Sequence, residues 1–361
     1  MAAEVNVVAG VRIAWKPAGG SFLPGSRLRA YLPAEHLREA GWQAGIFDPR
    51  VQDSYDVVIF QKIYDREALA LARRLTSRGT RLVFDLCDNH FYGDPGVASV
   101  RDRVQRLQEM IDLVDAVSVS TLEMSRLIRK ERVTVIDDPI DYPETSWMLR
   151  AQLRAAQFLK GDRRSRVRFV WHGTAGQADP PTGLIDVGRV LPHLEDLNRT
   201  VPLSLTVISN SRELFEKYVG GTSFPTRYVP WKLSTFPYHL KQNDICLIPI
   251  SVNPFTICKT NNRLVSSLLL GLPVVADSIT SYEEFAGCVL FGNWRENLHR
   301  YAADPALRRE HVREAQRYIR SRYTPSRVVS QWSAFLAQVL VPAPENGAGL
   351  VGVPAGNGDE K

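Results

Sequence analysis

Short apolar runs alternate with amphipathic stretches along the first 140 residues. Runs at 5–14, 56–60, 81–86, 116–120 and 133–137 are the length of buried strands. Between most of them, residues 27–40, 65–78, 97–113 and 122–130 repeat apolar positions at helical spacing. In the first of these, Leu28, Tyr31, Leu32 and Leu37 share a face and Gly41 stands just past the end. Strands with little polar alternation, separated by helices, predict a parallel sheet covered on both faces. The rhythm pauses at Asp138-Pro139, then runs through a long helical stretch at 144–159 and a basic cluster at 160–168. It then restarts, with strands at 167–171, 203–209, 226–229 and 244–249 and helices at 183–197 and 234–242. After an apolar run at 288–291 the pattern is helical to about Val339, interrupted at Thr324-Pro325. From Pro342 onward the residues are Gly, Ala, Pro and polar, which predicts a disordered tail. The class expected is α/β, with two doubly wound Rossmann-like halves facing a cleft. The divisions fall at 1–140, a linker at 141–165, a second domain at 166–305, returning helices at 306–340 and a tail at 341–361.

One stretch, 254–284, combines this rhythm with chemistry. Lys259, Thr260, Asn261, Asn262 and Arg263 lead into the apolar helical run 264–270; Gly271 ends it, and residues 273–276 form a short buried strand. A helix start offers unpaired N–H groups and a positive dipole end, and Lys259 and Arg263 add full charges there, an arrangement suited to an anion. A basic turn that merely faces water is the simpler alternative. Near the N-terminus, Gly20 to Arg27 has the spacing G-x4-G-S-R, close to a P-loop but lacking its lysine. Such a turn could bring N–H groups to a phosphate or only reverse the chain. A third candidate, Asp85-Leu-Cys-Asp88-Asn89-His90, follows a predicted strand, at the strand end where parallel sheets gather function. A histidine there could take or relay a proton, or could be an ordinary loop residue.

With 361 residues the chain is long enough for two α/β domains, and 44% hydrophobic with 23% charged residues describes a globular protein. The formal net charge of +6 permits an anionic partner without choosing one. No recognition helix, zinc finger or aromatic RNA-binding signature accompanies it, so nucleic acid is not an expected partner. Basic residues on the first-half helices, among them Arg73, Arg74, Arg101 and Arg126, would allow peripheral contact with an anionic membrane, although a solvated helix face explains them as well. The N-terminus lacks a basic segment followed by an apolar one, and no apolar run could cross a bilayer, so the cytoplasm is the expected compartment. Cys87, Cys246, Cys258 and Cys288 are far apart, lack zinc spacing and lie in or beside apolar segments, as reduced core cysteines do.

These motifs together resemble GT-B glycosyltransferases, most closely the retaining family 4 group, over nearly the whole chain to about residue 340. Val167 to Thr174 (VRFVWHGT) resembles the first strand and loop of the family's nucleotide-binding half, and residues 244–249 the strand before its donor site. Residues 270–276 (LGLPVVA) are similar to its A-C-G-x-P-V-V-A segment, and Ser281-Tyr-Glu283-Glu284-Phe to the following loop. Residues 19–41 resemble the opening loop and first helix, and 306–340 the helices that return to the first domain. The resemblance implies a nucleotide-diphosphate sugar as donor, UDP- or GDP-linked, with no separate cofactor. The acceptor would be a hydroxyl on a glycan, a lipid-linked sugar or a small natural product, and the anomeric configuration would be retained. No Asp-x-Asp occurs in the chain, which disfavours the metal-binding GT-A alternative.

Two departures qualify the resemblance. The family usually carries two glutamates eight positions apart, where this chain has Cys258 and Ser266. Its Arg and Lys donor-phosphate pair is replaced by His172-Gly173-Thr174-Ala-Gly-Gln177. The implied substitutes are Lys259 and Arg263 for the diphosphate and Asn262 or Ser266 near the ribose, with Gly20, His172, Gly173 and Thr174 lining the donor. Glu283 and Glu284 would hold sugar hydroxyls, or simply favour a helix start. His90, after Asp85 and Asp88, resembles a family position that faces sugar and acceptor, and His90 and Asp88 are the catalytic candidates. The missing glutamates also leave room for a non-catalytic relative acting as a partner subunit, and the fold for a sugar-nucleotide epimerase.

Overall fold

The computed structural model describes residues 10–141, 166–177 and 181–341. The long helical stretch expected at 144–159, most of the expected linker and the tail from 342 lie outside these residues.

The first half is a six-stranded, all-parallel sheet in the order β2-β1-β3-β4-β5-β6, built from β1 (Arg12–Pro17), β2 (Gln43–Ile46), β3 (Val57–Gln61), β4 (Arg81–Leu86), β5 (Ala116–Val119) and β6 (Val133–Val135). Every side chain of β3 and β5 is buried, which is why these segments read as unbroken apolar runs. The first helix, α1, is continuous through three pieces: Pro24–Ser26, a π-helical turn at Arg27–Tyr31, and Leu32–Glu39. Pro24 occupies its first turn, where a missing N–H costs nothing. Helix α2 (Arg66–Thr76) is capped by Asp65, whose carboxylate accepts from the Ala68 N–H at 2.8 Å. Its buried face, Ala68, Leu69, Leu71, Ala72 and Leu75, lies on the sheet. Helices α3 (Ala98–Leu113) and α4 (Leu122–Leu127) complete the half.

The second half repeats the architecture with the strand order β11-β10-β7-β12-β13-β14, again all parallel. Its strands are β7 (Val167–His172), β10 (Leu203–Ser209), β11 (Thr226–Pro230), β12 (Ile245–Ile248), β13 (Val274–Ala276) and β14 (Leu290–Phe291), with the small antiparallel pair β8 (Gly176–Gln177) and β9 (Thr182–Gly183) beyond β7. Helices α5 (Leu184–Asn198), α6 (Arg212–Val219), α7 (Phe236–Leu240), α8 (Asn262–Leu269) and α9 (Trp294–Ala303) flank this sheet. The strand order reverses between β7 and β12, and ligands of open parallel sheets bind in the crevice at such a point.

The final helices are α10 (Pro305–Arg322) and α11 (Pro325–Leu340). Helix α10 packs on the second half through Ala315 and Ile319, whereas α11 crosses to the first, where Trp332 meets Trp15 edge-on at 5.2 Å. The turn between them is held by Asp137, which accepts from Arg322 at 2.6 Å and from Arg327 and Gln331 at 3.0 Å.

Several sequence expectations needed correction. The first strand runs over 12–17 where 5–14 was expected, and residues 5–9 of that expectation lie outside the described residues. Strand β2 and helix α6 had no counterpart in the pattern, β2 because its Gln-Ala-Gly-Ile sequence is too small and mixed to stand out. The C-terminal helical run breaks at Asp304-Pro305 as well as at 324–325, with Asp304 capping α10. Glu283 and Glu284 lie inside a 3-10 turn, Thr280–Phe285.

Candidate active site

The C-terminal wall of the cleft is built from the ends of β7 and β12. Leu264, Val265, Ser267, Leu268 and Leu269 bury one face of α8, and Gly271, with φ at +93°, ends the helix in the left-handed region that favours glycine. The buried His172, last in β7, fixes the helix over the sheet: its Nε2 lies 2.9 Å from the Ser267 hydroxyl, which donates to the Arg263 carbonyl at 2.7 Å. Burial, followed by the nearby Arg263 charge, holds this imidazole down to about 3, so it is neutral at pH 7. Immediately after it, Gly173 leaves room that a side chain would fill: a Cβ there would stand 3.2 Å from the Trp171 ring and 3.4 Å from the Arg263 guanidinium.

The head of α8 is left open to an anion. Its first turn contains no acidic residue, and Asn261, at the cap position, gives it no side-chain hydrogen bond. The Asn261 amide turns instead to Glu284 at 2.7 Å and Tyr323 at 2.5 Å. Among the described residues no carboxylate lies within ion-pair distance of Arg263. The start of α5 differs: Asp186 in its first turn is buried and accepts from the Ser251 N–H at 2.9 Å and from its hydroxyl. One helix start is occupied by its own acid, while the other offers N–H groups and an arginine.

The N-terminal wall is a charge cluster at the ends of β3 and β4. Asp88 receives Lys62 on one carboxylate oxygen and Lys259 on the other. Against burial, which would raise it, these two ammonium groups hold Asp88 well below the usual carboxylate range. Lys62 sits in a left-handed backbone conformation, φ +56°, costly for a residue with a side chain and retained by its place between β3 and the cluster. His90 is half-buried beside them, its Nδ1 2.6 Å from the Tyr64 hydroxyl. Burial and then the neighbouring Lys62 lower the imidazole to about 4, so it is neutral at pH 7 and able to accept a proton.

Behind this wall lies a buried arginine. The π-helical turn of α1 carries Arg29 inward, where only 2% of its side chain is exposed. Its guanidinium forks onto Asp85 at 2.5 and 3.1 Å, reaches Asp138 at 2.9 Å and donates to the Ile136 carbonyl at 2.6 Å. The second oxygen of Asp138 accepts from the Asn262 amide, the first residue of α8, so this network ties the two walls together.

The walls also meet directly through the 3-10 turn Thr256–Cys258. Cys258 packs into the core of the first half, its carbonyl accepts from Thr121 at 3.1 Å, and Asn89 donates to the Pro254 carbonyl at 2.8 Å. The position at which the resemblance would place a first glutamate is therefore a buried contact with the first half. At the second such position, the Ser266 hydroxyl bonds back to the Arg263 carbonyl at 3.1 Å.

The predicted site residues thus fall into distinct groups. Lys259, Asp88 and His90 come together although Lys259 and Asp88 are 171 positions apart. Arg263, Gly173 and His172 meet on the opposite wall; Thr174 is exposed beside them. Gly20 lies in the loop that leads into α1, and Gly25 at that helix start stands against Cys87, next to Asp88. The Asn262 amide is committed to Asp138. The Glu284 carboxylate joins Asn261 to Tyr318 of α10 and to Tyr323 just past its end, while Glu283 is exposed. Lys62, Tyr64, Arg29 and Asp138 were not foreseen as members of the site. For Lys62 the one available signal was a polar pair, Gln61-Lys62, closing an otherwise apolar strand.

No family model matches the chain, and no curated protein matches its sequence. Solved structures do match. A glycosyltransferase from Rickettsia africae is similar over 93% of this chain and 99% of its own, at TM-score 0.63 and 11% identity. WaaG, a glycosyltransferase involved in lipopolysaccharide biosynthesis, is similar over 92% and 100% at TM-score 0.60 and 14% identity. S. aureus TarM, whose structure holds UDP and alpha-GlcNAc-glycerol, matches at TM-score 0.55 and 10% identity over 78% of this chain. Only 55% of TarM is covered, so the chain spans about half the length of that neighbour. Two parallel six-stranded sheets, a crevice at the strand-order reversal and a last helix returning to the first half give this chain the GT-B fold.

Proposed function

We propose that this chain is a glycosyltransferase that moves a sugar from a UDP- or GDP-linked donor to an acceptor hydroxyl, with retention and without a metal. The observation that carries the reading is the uncapped head of α8, with Arg263 beside Gly173 and no carboxylate partner among the described residues. Sugar transfer breaks a sugar–phosphate bond while negative charge builds on the leaving diphosphate, so the first requirement is a prearranged positive site for it. Arg263 and the first-turn N–H groups of α8 meet that requirement, and Lys259 can swing its charge toward the same diphosphate by releasing Asp88. Facing them, His90 is neutral; in the tautomer whose Nδ1–H donates to the Tyr64 hydroxyl oxygen, the Nε2 lone pair is left to take a proton from the acceptor hydroxyl. His172 acts indirectly, by fixing α8 through Ser267.

A second reading, a non-catalytic relative that binds a nucleotide sugar, is favoured by one observation: Cys258 and Ser266 bring no carboxylate to the places where the family has glutamates. A thermal-shift panel of UDP- and GDP-sugars, followed by mass spectrometry of products formed with cell extract, separates the two. Stabilisation by one donor together with a new glycosylated product supports the enzyme. Stabilisation without hydrolysis or transfer supports the second reading, and no stabilisation by any donor overturns both.

A further inference from the structure

The charges around His90 do not balance, and the imbalance continues outward from the cleft. Lys62 and Lys259 share the single carboxylate of Asp88. Arg103, on α3, donates to the His90 carbonyl at 3.0 Å and the Tyr92 carbonyl at 2.6 Å, and among the described residues it has no carboxylate partner. Three cations therefore stand beside His90 against one acid. Farther out, the facing sides of α2 and α3 enclose a groove of about 390 Å³. Arg73 and Glu109 pair across it, but Arg66 and Arg106, which also line it, form no ion pair among the described residues; Asp102 is its remaining acid. Arg66 is the first residue of α2, at the cleft side of the sheet, and Arg106, one turn after Arg103 on α3, is near enough to Tyr64, the partner of His90, to act on its phenol, so both lie on the way out from His90.

We infer that the acceptor carries an anionic group, a phosphate or carboxylate, bound by the cations of this wall: Lys62 and Arg103 beside His90, with Arg106 and Arg66 at the rim. The inference rests on the reading of the cleft as a sugar-transfer site. An acceptor hydroxyl placed at His90 brings its neighbouring substituents to these cations, and a low-dielectric cleft with surplus positive charge favours a negatively charged partner. Arginines whose donors meet only carbonyls or solvent keep their forked geometry available for phosphate or carboxylate. A neutral acceptor would leave that charge uncompensated in the assembled complex. The downward shift of the His90 imidazole, which burial causes first and the charges of Lys62, Arg103 and Lys259 reinforce, reports the same positive surroundings.

Calorimetric titrations of the full chain with glucose 6-phosphate, glucuronate and glucose, at low and raised salt, test this. At least one of the two anionic sugars is expected to bind ten times or more tighter than glucose, with the gap narrowing as salt rises. Lys62→Gln and Arg106→Gln should each shrink that gap at least threefold, and Arg263→Ala should leave it. A preference for phosphate alone or carboxylate alone supports the inference and identifies the group. Equal affinities, no binding of either anionic sugar, or a gap that both wall variants retain overturns it. A parallel titration with UDP keeps the two readings apart: anionic sugars that bind while UDP does not would remove the donor assignment and leave the anion site standing.

Discussion

Two arginines, Arg29 and Arg263, lie on either side of the cleft and meet opposite fates. Arg29 is buried, and its donors are consumed by Asp85, Asp138 and the Ile136 carbonyl. Although burial alone would lower it, the two carboxylates raise its pKa above the ordinary arginine value. Arg263 stands at an uncapped helix head beside a glycine, with no acid within ion-pair distance among the described residues. A buried charge with a complete set of partners holds structure together. A charge without one, at a strand-order reversal, is what the proposed function assigns to a ligand that brings the missing negative charge.

The sharpest way to break this comparison is to remove Arg29. Arg29→Ala leaves Asp85 and Asp138 buried without their cation and should cost about 3–5 kcal/mol of stability. Urea unfolding would measure it, and a loss below 1 kcal/mol would mean the network holds little. Arg263→Ala should do the reverse, weakening donor binding by about 1.5–3 kcal/mol while unfolding stays within about 0.5 kcal/mol of the unmodified chain. A large loss of stability in this variant would erase the distinction between the two arginines.

Acidification offers a third test. His90 and His172 are held to about 4 and about 3 in the folded chain, against about 6.5 when unfolded. Between pH 6.5 and about 4 the unfolded state binds more protons, so stability must fall with pH across that window. The slope is roughly 1.4 kcal/mol per pH unit for each histidine once the unfolded chain is protonated. Unfolding midpoints at pH 7, 6 and 5 would give that slope, and a curve flat through this range would contradict both assignments. For activity, the same value places the acid limb of the rate profile near 4, not near 6.5, if His90 accepts the proton. The smallest effect is expected for Tyr64→Phe, which removes one hydrogen bond to His90 and should cost about 0.5–1.5 kcal/mol. UDP affinity should be unchanged.

Much of the fold was legible in the sequence because parallel strands are buried on both faces and announce themselves as unbroken apolar runs. Both doubly wound halves could be read from that rhythm, although β2 could not, since an edge strand of Gln, Ala, Gly and Ile carries no comparable signal. The head of α8 was legible for a similar local reason: Lys259, Arg263 and the closing Gly271 are neighbours in sequence. What local pattern cannot reveal is pairing across the cleft. Nothing in residues 254–263 indicates that Lys259 meets Asp88, that Cys258 enters the first core, or that Asn262 turns to Asp138. Arg29 was hidden for a different reason. It looks like one basic residue among several on a helix, and only a π-helical turn brings it inward.

The central claim is that the head of α8 receives the diphosphate of a sugar nucleotide. Isothermal titration of UDP and of GDP into the unmodified chain, repeated with Arg263→Ala, tests it most directly. The account predicts saturable one-site binding of one of the two nucleotides, weakened roughly 10- to 150-fold in the variant. Binding of neither nucleotide, or equal binding by both proteins, would contradict it.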